Sequence, residues 1–109
     1  MSEEIWSYHV TRTGSMVTVE LSGEIDMAVS GDVLDAITAE LGRAGTVTVL
    51  VDLSAVTFLG SAGLQALVEA RRLADADRRR LVVTGAKGLP RQVLEITSLL
   101  TFLDRSESD

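Results

Sequence analysis

The sequence predicts an α/β domain built on a mixed β-sheet, and three observations carry that prediction. The opening segment alternates apolar and polar residues with period two. The remainder alternates helix-period apolar stripes with short β-branched runs. The chain has 109 residues, 46% of them hydrophobic, which suffices for one packed core and leaves no room for two.

Trp6, Tyr8 and Val10 alternate with Ser7, His9 and Thr11, and beyond Gly14 so do Val17, Val19 and Leu21 with Thr18, Glu20 and Ser22. Two such runs around a short Gly-containing loop predict an antiparallel hairpin with one wet face, ended by Gly23. The period then changes. Val29, Val33, Ile37 and Leu41, with Leu34 beside them, predict a helix capped by Asp26 or Ser30 and stopped at Gly42. Val47 to Val51 is nearly all apolar and β-branched, which suits a central strand buried on both faces.

A second helix is predicted from Ser61, with Leu64, Leu67, Val68 and Leu73 inward and Glu69, Arg71 and Arg72 outward. Leu81 to Thr84 reads as a further strand, and Gly88-Leu89-Pro90 opens a third helix, because proline is tolerated in a first turn. Leu99 to Leu103 reads equally as a helical turn or an edge strand, and Asp104 to Asp109 as a polar tail. The expected order is β-β-α-β-α-β-α in one domain over 1–109, its core about 5–103, with the helices packed on one face of the sheet.

Composition excludes several functions. Without cysteine there are no disulfides, thiolate metal sites or cysteine nucleophiles, and His9 is the sole histidine, so neither a zinc site nor a Ser-His-Asp triad is expected. A net charge of −6 argues against direct nucleic-acid binding, which needs surplus Lys and Arg. No apolar run approaches a membrane span, and the acidic start Met1-Ser2-Glu3-Glu4 leads into no secretory signal. Gly85-Ala86-Lys87-Gly88 lacks the ending of a phosphate-binding loop. Arg71-Arg72 and Arg78-Arg79-Arg80 read as solvated helix ends or a contact for an acidic partner. A soluble, cytoplasmic, non-enzymatic domain without cofactor or metal is expected.

The richest stretch runs from Asp52 through Ser54, Thr57, Phe58, Leu59, Gly60, Ser61, Ala62 and Gly63 to Leu64, leading from a strand into a helix. Residues 60–63 are small and leave the backbone open, and Ser61 is placed to cap the helix. A phosphate there would meet free N–H groups at the positive end of the helix dipole and add roughly −1.5 to −2 charges. Thr57 and Ser54 are nearby hydroxyls whose simpler role is to satisfy backbone groups at the strand end.

This stretch resembles the signature of the STAS-domain anti-sigma-factor antagonists: an Asp-Leu-Ser run, then Phe, an aliphatic residue and a Ser-containing Gly-Leu turn. Gly23-Glu24-Ile25-Asp26 resembles the family's Gly-Glu-aliphatic-Asp segment ahead of its first helix. The resemblance runs from about Ile5 to Leu103. It implies a STAS-like fold and a non-enzymatic binding module. In that family the unphosphorylated antagonist binds an anti-sigma factor, a serine kinase, and frees a sigma factor for transcription. Phosphorylation breaks the complex and a PP2C-type phosphatase restores it. By position the phosphoacceptor is Ser61, with Asp26, Thr57, Gly60, Ala62 and Gly63 as its surroundings and partner contact. Members usually carry Asp before that serine and Ser or Thr after it, where this chain has Gly60 and Ala62. The alternative is therefore a STAS-like interaction or scaffold domain without phosphoregulation. The sequence also ends without the final amphipathic helix of many members, which implies a compact variant or an exposed apolar edge open to weak dimerisation.

Overall fold

The computed structural model describes residues 6–96. Within them the order is β1 (Trp6–Thr13), β2 (Met16–Ile25), α1 (Ser30–Leu41), β3 (Thr48–Leu59), α2 (Ser61–Ala76), β4 (Arg80–Thr84) and α3 (Gly88–Ile96), as expected. Leu99 to Leu103 and the acidic tail lie outside the described residues. The sheet runs β1-β2-β3-β4, with β1 antiparallel to β2 and the other pairs parallel.

The hairpin closes with Thr13 opposite Met16, leaving Gly14 and Ser15 as its loop. Gly14 has φ 62°, a conformation that glycine adopts without steric cost and that matches the twist of paired strands. His9 is exposed, in keeping with the wet face expected for it. Val17, Val19 and Leu21 of β2, Val49, Val51 and Leu53 of β3, and Leu81 and Val83 of β4 are all buried. Each set has period two, so all belong to one sheet face. Two parallel crossovers taken in the same direction place α1 and α2 together over that face, where they contact each other. They bring Val33, Ile37, Leu64, Leu67, Ala70 and Ala74 into the same core. α3 packs against β3 and contributes Leu94.

Several expectations are corrected. β2 does not end at Gly23; it continues to Ile25 through a register irregularity between Gly23 and Glu24. β3 begins at Thr48 and runs on to Leu59, while Val47 is 52% exposed before it. Leu50 is only half-buried, so β3 has one dry face rather than two. Between the pairs Glu20↔Asp52 and Ile25↔Leu59, β2 advances five residues and β3 seven, so β3 absorbs two extra residues. Such bulges break the period-two pattern and bend the strand, which is why the sequence beyond Val51 does not read as a strand.

Leu73 points outward, 42% exposed, and the small Ala70 and Ala74 line the inner face of α2 instead. The arginine run is not simply solvated: the Arg79 guanidinium donates to the Leu41 carbonyl, and to that of Arg43 at 3.1 Å. It thereby serves acceptors left over at the end of α1.

Candidate functional site

The parallel pairing of β2 and β3 delivers two strand ends to the same edge of the sheet. Ile25↔Leu59 is the last pair. One residue further along stand Asp26 and Gly60, and the Gly60 N–H donates to the Ile25 carbonyl at 3.0 Å. The two sequence segments singled out above, 23–26 and 52–64, are thus joined by a backbone hydrogen bond.

The chain leaves these strand ends differently. After β2 it makes a turn in which the Asp26 carboxylate accepts the Ala28 N–H at 3.0 Å and the Asp26 carbonyl accepts the Val29 N–H at 3.2 Å. Val29 occupies the N-cap position of α1, with no side-chain cap, and the Ser30 hydroxyl donates to the Met27 carbonyl. Neither Asp26 nor Ser30 is the cap that the sequence suggested; Asp26 instead holds the turn one step upstream. After β3 a single residue suffices. Gly60, with extended backbone (φ −84°, ψ 176°), is the N-cap of α2, and its carbonyl accepts the Leu64 N–H at 2.9 Å.

Ser61 is therefore the first helical residue rather than the cap. It is exposed, and among the described residues its hydroxyl makes no hydrogen bond. The N–H groups of Ser61, Ala62 and Gly63 precede the first intrahelical donor and lack a helical acceptor. Gly63 is where the helix meets the strand end. A Cβ there would stand 2.7 Å from Ile25 Cγ2 and 3.0 Å from the Ile25 carbonyl oxygen, so only glycine lets α2 start this close to β2. Ala62 is half-buried and lines a groove of about 530 Å³ between α1 and α2. Ser30, Gly31 and Leu34 form one wall, and Gln65, Val68, Glu69 and Arg72 part of the other. Thr57 is exposed on β3, four residues before Ser61.

Two residues at this edge were not identified from the sequence as part of a site. Met27 is 79% exposed at the tip of the Asp26 turn, and Phe58 is 44% exposed, its ring lying against Gly60. Solvent-facing Met and Phe beside small residues form the kind of surface that a protein partner covers. The available signal was the position of Met27, which falls outside the apolar stripe of α1.

Comparison with known proteins accords with this geometry. The model of the Mlab, STAS domain family matches residues 8–104. An anti-sigma-factor antagonist from Mycobacterium paratuberculosis is similar in structure, with a TM-score of 0.77 and 27% identity, over 94% of this chain and 86% of that one. The anti-sigma-factor antagonist SpoIIAA in its unphosphorylated form gives a TM-score of 0.76 at 16% identity, over 94% and 90%. The fold also recurs in the murine anion transporter Slc26a9, with a TM-score of 0.69 at 15% identity, where 79% of this chain matches 14% of the transporter. No curated protein matches in sequence. Among the described residues no helix is long and apolar enough to cross a membrane. With the family model spanning residues 8–104, and the fold matching over 94% of the chain, the protein belongs to the STAS domain family.

Proposed function

We propose that this chain is an anti-sigma-factor antagonist that works by partner switching in the cytoplasm. Unphosphorylated, it binds an anti-sigma factor of the serine-kinase type and so releases a sigma factor; phosphorylation of Ser61 ends the complex, and a PP2C-type phosphatase resets it. It supplies no catalytic group and no cofactor, and its output is a difference in affinity between two charge states. The observation that carries this reading is the exposed, unbonded Ser61 hydroxyl on the first turn of α2, beside the uncovered Met27 and Phe58. A phosphate at that point finds unpartnered N–H groups and needs no refolding. A partner seated on the same surface meets a new double charge, and a loss of about 3 kcal/mol weakens binding more than a hundredfold.

Gly60 and Ala62 favour a second reading, an interaction or scaffold domain without phosphoregulation. No acidic side chain precedes the hydroxyl for a kinase to read, and no second hydroxyl follows it. Intact-mass spectrometry after incubation with ATP and each anti-sigma kinase of the same genome separates the two. One phosphoryl group mapping to Ser61 supports the switch. Complex formation without any adduct supports the scaffold reading. Calorimetry then completes the test: Ser61→Asp is expected to abolish partner binding and Ser61→Ala to retain it. Equal affinities for the two variants would defeat the switch.

A further inference from the structure

A second concavity lies on the flank of α1 turned away from α2. Trp6 and Tyr8 stand two residues apart on β1, so they leave the sheet on the same face. Their rings stack with centroids 5.6 Å apart and planes 16° apart. Across from them, Asp32 and Asp35 sit one helical turn apart on α1, with Ala36 and Ala39 beside them, enclosing about 420 Å³. α1 rests on β2, β3 and α2, so the edge strand projects past the helix layer: Trp6 is partly buried against the core, and Tyr8 beyond it is left uncovered. Tyr8 is 49% exposed. The ion pairs among the described residues use Glu40, Asp75, Asp77 and Glu95, and neither Asp32 nor Asp35 takes part in one.

A stacked aromatic pair therefore stands beside two carboxylates that no ion pair among the described residues uses. Both components favour the same ligand chemistry. Aromatic faces attract cations, and a planar guanidinium can stack on a ring while its N–H fork reaches a carboxylate. An ammonium group offers only a point charge. A second feature specifies what carries the guanidinium. Among the described residues β1 pairs only with β2, so its outer edge presents free backbone donors and acceptors to an extended segment. We propose that this cleft docks an arginine side chain of a partner protein whose extended segment pairs along the free edge of β1. This surface is independent of Ser61 and of the switch proposed for it.

The chain has one tryptophan, so Trp6 emission reports on the cleft directly. The probe is a five-residue peptide of alternating Thr and Val around a central arginine, titrated against the whole chain at low salt. Saturable change in emission is expected, with binding weakened about tenfold by a lysine replacement and lost with neutral citrulline. Asp32→Asn with Asp35→Asn should weaken the arginine peptide at least about tenfold, whereas Glu20→Gln with Asp77→Asn, which removes as much charge elsewhere, should change it less than about twofold. Circular dichroism checks that both double variants remain folded. No saturable change, equal binding of the citrulline peptide, or equal loss in the two double variants would overturn the proposal.

Discussion

Two strand-to-helix passages lie side by side at one edge of this sheet, and they solve the same problem with different chemistry. After β2 the turn is organised by a side chain, the Asp26 carboxylate accepting the Ala28 N–H. After β3 the passage is made by backbone alone, with Gly60 as cap and Gly63 admitting α2 against Ile25. The contrast shows how a hydroxyl comes to be available. Because glycine does the capping, the Ser61 hydroxyl is left exposed and without a hydrogen bond among the described residues.

Substitutions can break this comparison, beginning with the contact that both passages share. Ile25 is fully buried and touches the start of α2, so Ile25→Ala should cost about 2–5 kcal/mol in urea unfolding. Gly63→Ala should cost about 1–3 kcal/mol despite its better helix propensity, because the added methyl meets a backbone oxygen and a packed side chain. A stabilising Gly63→Ala would mean that α2 shifts freely away from β2. Asp26→Ala should cost about 1 kcal/mol by the same measurement, since it removes an exposed turn bond. Ser61→Ala should lie within about 0.5 kcal/mol of wild type. A loss near 1 kcal/mol there would show that Ser61 caps the helix after all and that the two passages are more alike than their hydrogen bonds indicate.

How legible this was in the sequence depends on how local each feature is. The hairpin, the three helices and the element order followed from periodicity, because a buried face leaves a regular imprint on neighbouring residues. The pattern for β3 stops at Val51 because the two residues it gains against β2 erase that imprint. A leucine at helical spacing reads as inward at Leu73, yet α2 meets the sheet through Ala70 and Ala74, where small side chains permit close approach. At the site, the motif residues from Asp52 to Leu64 stood out as a group. The precise division of labour between Gly60 and Ser61 did not, since serine and glycine are both accepted caps and one residue of offset decides the matter.

Composition and pattern alone thus determined the α/β class, the opening hairpin and the segment that carries the exposed serine. Tertiary structure decided what is adjacent to what. The parallel register set Asp26 beside Gly60, packing across that junction requires glycine at 63, and the placement of α1 over β2 and β3 left Met27, Phe58 and Tyr8 open to solvent. The reason is physical: periodicity records which face of an element is buried, whereas exposure at its ends and edges depends on the reach of neighbouring elements, which no local pattern encodes.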